Sequence, residues 1–372
     1  MRDCVLIDGV RTIVGKKGGG LATIRPDDLA GLTLAELVRR TGIEAGEVED
    51  VIMGCVTQTG EQGYNIARLA TMIAGFPVEV PAVSLNRMCG SSQQAIHFAS
   101  QAIRSGDMDV VIAAGVESMT RVPMGSDGVP FSERLLARFN LVWQGEAAER
   151  IADQYQISRE EMDRWALLSH QRALKAWQEG RFERETFTPV PGLVKDEGPR
   201  PDTDLEKLGA LKTVFRPEGR VTAGNASQIS DGAAAVLLAD SKKAAKLGLK
   251  PRARMVATAV VGSDPLLMLD GPIPATRKVL AKAGLSLQDI DIFEINEAFA
   301  SVVLAWQKTL EIPTEKININ GGAIALGHPL GASGARIMTT LINLLEQENK
   351  RYGLMTMCIG HGMATATIIE RI

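Results

Sequence analysis

Residues 42–54 read GIEAGEVEDVIMG and residues 284–296 read GLSLQDIDIFEIN. Each stretch follows an apolar-periodic helical segment, LTLAELVRR or PATRKVLAKA, and each runs into a β-rich segment. The two match in pattern more than in identity, at a constant offset without gaps, which marks an internal repeat. A second pair extends it. AVSLNRMCGSSQQAIHFASQAI near the first copy and ININGGAIALGHPLGASGARIMTTLINLL near the second both pass from strand through a glycine-bearing turn to an amphipathic helix. DVVIAAGVES and GLMTMCIGHG then supply an apolar strand after each. Strands alternating with helices of ten or more residues favour βα crossovers. An α/β chain is therefore expected, with mainly parallel strands covered by helices and two such halves stacked in alternating layers.

The halves are not contiguous. Residues 119–228 break the pattern with Pro/Gly-rich pieces, RVPMGSDGVP and PVPGLVKDEGPRPDTD, around one helix from about Arg159 to Glu179. Ser158 with Glu161 three residues on gives that helix a capping box. SQISDGAAAVLLAD then resumes an apolar strand that completes the first sheet. The expected units are 1–118 plus 229–251 for the first half, 119–228 for an inserted loop domain acting as a ligand lid, and 252–372 for the second half. A length of 372 residues calls for two or three such cooperating units.

Forty-one basic against 44 acidic side chains leave a net charge of −3, no field to recruit nucleic acid or an anionic membrane. A polyanionic small ligand has to be held by local basic residues. The start, MRDCVLIDGVRT, reads as a strand and a turn rather than a signal peptide, and no apolar run reaches the length of a membrane span. The four cysteines at 4, 55, 89 and 358 lie too far apart for a disulfide framework, so a reduced, cytoplasmic protein is expected.

Among the residues able to do chemistry, Cys89 in NRMCGSSQQA falls between a buried strand and a helix start, where backbone N–H groups and the helix dipole favour a thiolate. An inert core cysteine is the competing reading. His328, in GGAIALGHPLGASGAR, stands amid glycines, where imidazole near a thiol takes its proton. The glycine-rich loop could instead cradle phosphate, although the lysine and hydroxyl of a P-loop are missing. Cys358, closing an apolar strand, is either core or a second acid/base thiol. Asn296, in EINEAFA, is either a helix N-cap or the holder of a water or substrate oxygen. One Cys358/His361 pair is too little for a zinc site, and no metal is expected. His97 and His170 fall in helices and Cys4 and Cys55 in strands, where a structural role suffices. Glu294 and Glu297 have no evident partner and read as an ordering or surface feature.

Together NRMCGSS, GNASQISDGAAAVLLAD, NEAFA, NGGAIALGHPLGASGAR and CIGHG, in this order over essentially the whole chain, resemble the thiolase family. The resemblance implies a thiolase fold, two duplicated βα halves stacked as five layers αβαβα with an inserted loop domain. It implies that Cys89 is the acyl-accepting nucleophile and His328 the base that activates it and one donor to a first oxyanion hole. Asn296 would hold the water that is the other donor, and Cys358 would be the acid/base at the α-carbon. The N–H groups of Cys89 and Gly360 would form a second oxyanion hole. For coenzyme A, a co-substrate rather than a permanent cofactor, Ser227, Ala223, Phe215, Ala298 and Phe299 match the nucleotide and pantetheine channel. A homodimer or a dimer of dimers is expected from the same resemblance.

Two departures stand out. Thiolases commonly carry three glycines where this chain has Gly360-His361-Gly362, and biosynthetic acetoacetyl-CoA thiolases carry a His-Met pair before glycine where this chain has Trp143-Gln144-Gly145. The loop from Ser118 to Ala147 is also shorter than in biosynthetic acetoacetyl-CoA thiolases. GCVTQTGEQGYNIAR, EINEAFASVVLAW and the ending TIIERI are most similar to degradative thiolases that shorten bulky 3-ketoacyl-CoAs, including steroid side chains. The alternatives are a biosynthetic thiolase running the Claisen condensation, a ketoacyl-synthase-like condensing enzyme, which lacks the late thiol, and an inactive acyl-CoA-binding protein.

Overall fold

A computed structural model of the chain describes residues 2–372. The first half runs β1 (Cys4–Thr12), β2 (Gly15–Lys16), α1 (Pro26–Thr41), β3 (Asp50–Gly54), α2 (Ile66–Ile73), β4 (Ala82–Leu85), α3 (Ser91–Ser105) and β5 (Val110–Ser118). The segment that follows carries α4 (Glu133–Leu136), α5 (Gln144–Gln154), α6 (Arg159–Gln178), β6 (Thr186–Phe187) and α7 (Leu205–Gly209). Then come β7 (Ser230–Asp240) and α8 (Ser241–Lys246). The second half runs β8 (Ala253–Gly262), α9 (Pro272–Ala283), β9 (Ile292–Ile295), α10 (Ala300–Leu310), α11 (Ala323–Leu326), α12 (Ser333–Gln347), β10 (Tyr352–Ile359) and β11 (Met363–Arg371).

The repeat persists in three dimensions. α1 ends at Gly42 and α9 at Gly284, both in the left-handed conformation that lets glycine close a helix, and a 3₁₀ turn leads each into β3 or β9. α3 starts at residue 91 and α12 at 333, β5 at 110 and β10 at 352, so one offset of 242 residues relates these pairs. The strand order β4-β3-β5-β7-β1-β8-β11-β10-β9 reads the same outward from its middle, β1-β7-β5-β3 on one side and β8-β11-β10-β9 on the other. Only Val5–Leu6 and Ala253–Arg254 join the two sheets.

The strands are mixed rather than mainly parallel. β3 runs parallel to β4 and β5, and β9 to β10, but β7 and β11 return antiparallel. β11 follows β10 through a short hairpin, which needs no crossover helix, and β7 arrives after the long intervening segment.

Alternation along the strands separates three cores and hence five layers. In β7, Ala233, Ala235 and Leu237 face α1 and α2, while Ala234, Val236 and Leu238 face a central core shared with α3 and α12. The outer face of the second sheet packs on α5, α6, α9 and α10. α12 is buried from Ser333 to Leu345, as a helix enclosed by two sheets has to be. α6 begins with the expected capping box between Ser158 and Glu161. Among the described residues no helix is long and apolar enough to cross a membrane.

Candidate active site

Cys89 sits in the turn that joins β4 to α3. The strand before it is an edge strand with Val83 exposed, not a buried one. Met88 adopts φ 45°, and the turn is locked around it. Asn86 Oδ1 accepts from the Met88 N–H at 2.7 Å, and the Ser91 hydroxyl donates to the Met88 carbonyl at 2.6 Å. A Cβ on Gly90 would lie 2.3 Å from the Ile359 side chain, so glycine is what lets this turn press onto the end of β10. The backbone N–H groups of Cys89 and Gly360 and the Gln144 side chain lie near enough to the Cys89 thiol to favour its charged form. Burial pushes that thiol up to about 11, and these donors pull it back down in part.

Cys358, at the end of β10, faces the same place. Burial raises its thiol pKa, and the nearby Cys89 adds to the rise. Asn296 follows β9 and donates its N–H to the Thr356 carbonyl at 3.1 Å, which sets it beside Cys358 at the carboxyl ends of two neighbouring parallel strands. It does not cap a helix, since Phe299 occupies the N-cap of α10. Its Nδ2 lies 3.3 Å from His328 Nε2, and its buried Oδ1 has no protein partner. A water is the natural donor to such an oxygen.

Ser333 Oγ lies 2.6 Å from His328 Nδ1 and 2.9 Å from the Pro329 carbonyl; with its proton on the Pro329 carbonyl it accepts from Nδ1–H, the tautomer that leaves Nε2 basic. Nε2 is then free to take a proton. Burial, with the Arg336 cation second, pushes the imidazole down to about 3 and keeps it neutral.

The loops of Cys89 and His328 meet because α3 and α12 touch at their N-terminal ends. Ser92 Oγ accepts from the Ala335 N–H at 2.9 Å, and a Cβ on Gly334 would lie 2.2 Å from the Gln93 nitrogen. Two helix N-termini therefore direct positive potential at one site.

Four of the five residues matched to coenzyme A touch in pairs. Phe215 and Phe299 pack edge-to-face at 6.2 Å, and the Ser227 N–H donates to the Ala298 carbonyl at 2.9 Å. Ala223 lines a cavity of about 130 Å³ with His170, Arg200, Lys207 and Gln228. The Gln228 carbonyl accepts the His328 N–H, so this cavity adjoins the His328 loop; Arg200 brings a cation to it, while Lys207 is paired with Asp202 and Asp204.

Several residues escaped the sequence reading. Glu297 is buried and accepts from Trp165, Ser169, Asn318 and the Ile324 N–H, tying the loop after β9 to α6 and α11. Glu294 is buried too, and burial pushes its carboxyl up to about 8. Of the two readings, ordering or surface, burial excludes the surface one for both, and Glu297 orders the loop after β9. Glu117 accepts from the N–H groups of Val56, Thr57 and Gly331, holding both active-site loops. A carboxylate inside an otherwise apolar strand was the available signal for Glu117 and Glu294 alike. Cys55 lies one residue past β3 rather than in it. Among the described residues no group of three or more His, Cys, Asp or Glu is placed to hold a metal.

Comparison with known proteins matches residues 4–242 to the thiolase N-terminal domain and 249–371 to the thiolase C-terminal domain. Similar relatives include a steroid 3-ketoacyl-CoA thiolase of Mycobacterium tuberculosis, 49% identical across 100% of this chain and 95% of the relative. A 3-oxoadipyl-CoA/3-oxo-5,6-dehydrosuberyl-CoA thiolase of Escherichia coli is 45% identical with full coverage of both chains. Among solved structures, an acetyl-CoA acetyltransferase of Bacillus anthracis superposes with a TM-score of 0.92 at 40% identity, covering 100% of this chain and 99% of the other.

Proposed function

Since the chain belongs to the thiolase family and is an acyltransferase, we propose that it is a degradative enzyme cleaving bulky 3-ketoacyl-CoAs through an acyl-Cys89 intermediate. The reading is carried by 49% identity over the whole chain to a steroid 3-ketoacyl-CoA thiolase, with Asn296 and His328 within 3.3 Å and the Cys89 and His328 loops joined where α3 meets α12.

In the first half-reaction the Cys89 sulfur attacks the 3-keto carbon while its proton passes to His328 Nε2. The C2–C3 bond breaks and acetyl-CoA leaves as an enolate. The new Nε2–H and the water on Asn296 meet the enolate oxygen, and Cys358 gives its proton to C2. In the second, a CoA thiol returns a proton to Cys358 and attacks the acyl carbonyl. The tetrahedral oxyanion lies against the N–H groups of Cys89 and Gly360; one such donor is commonly worth ~10²–10³ in rate. Collapse releases the shortened acyl-CoA, and the Cys89 thiolate takes its proton back from His328. Run in reverse, the same groups perform a Claisen condensation, the biosynthetic alternative.

Arg200 holds a phosphate of coenzyme A, with Ala223, Phe215, Ser227, Ala298 and Phe299 along its path toward Cys89. No further cofactor is needed for this chemistry. The exposed edge strand β4 supports a homodimer or a dimer of dimers, because its unpaired backbone groups accept another strand. Four unpaired cysteines fit a cytoplasmic location.

The test is CoA-dependent cleavage of straight-chain, sterol-derived and dicarboxylic 3-ketoacyl-CoAs. Cys89→Ser is expected to abolish acyl-enzyme formation, and Cys358→Ala to accept an acyl group from a simple acyl-CoA yet fail to condense. Labelling of the serine variant by 3-ketoacyl-CoA, or normal condensation by the alanine variant, would remove the assigned roles.

A further inference from the structure

β9 packs on α12, and its even-numbered side chains turn toward that helix. Ile292 joins the central core with Met338 and Leu341, whereas Phe293 and Ile295 enter the core on the other face of the sheet. Glu294 therefore continues the face of Ile292, and Asn296 comes next along it. On α12, Arg336 stands one turn beyond Ser333, whose hydroxyl lies 2.6 Å from His328 Nδ1. Asn296 Nδ2 and His328 Nε2 approach to 3.3 Å, and each element that brings them together carries a buried charged side chain, Glu294 or Arg336.

Among the described residues, Nε and Nη1 of Arg336, Oε1 of Glu294 and Oε2 of Glu185 are buried without a protein partner. Arg336 is nevertheless the charge that acts most strongly on Glu294, and Glu294 the one that acts most strongly on Arg336. Orphan donors on one side chain and orphan acceptors on the other, coupled across a gap, are what a buried water bridges. Charge balance assigns a proton. Arg11, Arg172 and Arg336 stand around this place against Glu185, Asp196 and Glu297. Three cations meet three anions, so Glu294 keeps its proton, as burial also dictates, and serves as a neutral hydrogen-bonding group.

We propose that Glu294 and Arg336, bridged by water, are positioning residues of the first oxyanion hole, a polar strut that sets Asn296 against His328. The inference rests on the thiolase reading above. His328 is pinned through Ser333 within its own segment, so loss of the strut displaces Asn296 and its water while the base stays in place. Only carbon–carbon cleavage forms the enolate that this hole meets. Exchange of labelled CoA into a simple acyl-CoA needs Cys89, His328 and the second hole alone, so comparing the two rates isolates the strut. Glu294→Met is expected to lower kcat for 3-ketoacyl-CoA cleavage at least about tenfold and to keep exchange within about threefold of wild type. Glu294→Gln, neutral and of the same size, keeps both within about threefold. Glu294→Met/Arg336→Met removes the charge that the single variant leaves alone, so it regains the denaturation midpoint of wild type yet cleaves as slowly as Glu294→Met. Equal falls in cleavage and exchange, a Glu294→Gln variant as slow as Glu294→Met, or recovery of cleavage in the double variant each overturns the inference and leaves the thiolase reading intact. A wild type that cleaves no 3-ketoacyl-CoA overturns both.

Discussion

Cys89 and His328 are both held in their uncharged forms, the thiol pushed up to about 11 and the imidazole down to about 3, each chiefly by burial. The proton therefore leaves sulfur as the new bond forms, and no ion pair waits in the resting site. A pH profile follows directly. A raised thiol pKa leaves little thiolate near neutrality, so alkylation of Cys89 by iodoacetamide without substrate is expected to climb from pH 7 to beyond pH 10. A plateau near 8.5, the value of an ordinary thiol, would show that the site stabilises the thiolate instead. Cys89 and His328 stood out in the sequence because small polar residues and glycines around a lone thiol or imidazole are poor core packing, whereas the role of Cys358, between Met357 and Ile359 in an apolar strand, came only through the resemblance. Glu294 and Glu297 were not legible. The partners of Glu297 include Trp165 and Ser169, more than a hundred residues away, and no local pattern encodes that separation.

At the scale of elements, the meeting of α3 and α12 depends on the missing side chain at Gly334, where a Cβ would strike backbone rather than a flexible side-chain end. Gly334→Ala is expected to cost about 1–3 kcal/mol in denaturant unfolding and to lower thiolysis sharply, because the Cys89 and His328 loops shift apart. Ser158→Ala is the matched comparison. It breaks the capping box of α6, costs about 1 kcal/mol and leaves kcat near wild type. Equal loss of activity in the two variants would mean that global stability, not helix placement, governs the site. The capping box was readable because it spans four residues. The antiparallel direction of β7 was not, because it depends on how a segment of more than a hundred residues returns to the sheet.

The two halves are copies of one pattern around an inserted segment, and the repeat at 42–54 and 284–296 carries that pattern in the sequence. What it could not disclose is that the chemistry is not duplicated. At the same offset of 242 residues, Cys89 answers to Gly331, Cys358 to Val116, Asn296 to Gly54 and Gly360 to Ser118. Those mate positions are closed. A Cβ on Gly331 would lie 2.4 Å from the Val116 carbonyl oxygen, and one on Gly54 would lie 2.4 Å from the Ser92 nitrogen. Cys4 and Cys55 are buried, their thiols pushed up by burial. Mass spectrometry of the intact native protein after a short exposure to 3-ketoacyl-CoA should thus record a single added acyl mass per polypeptide. A stoichiometry of two would mean that the other half had kept a reaction centre of its own.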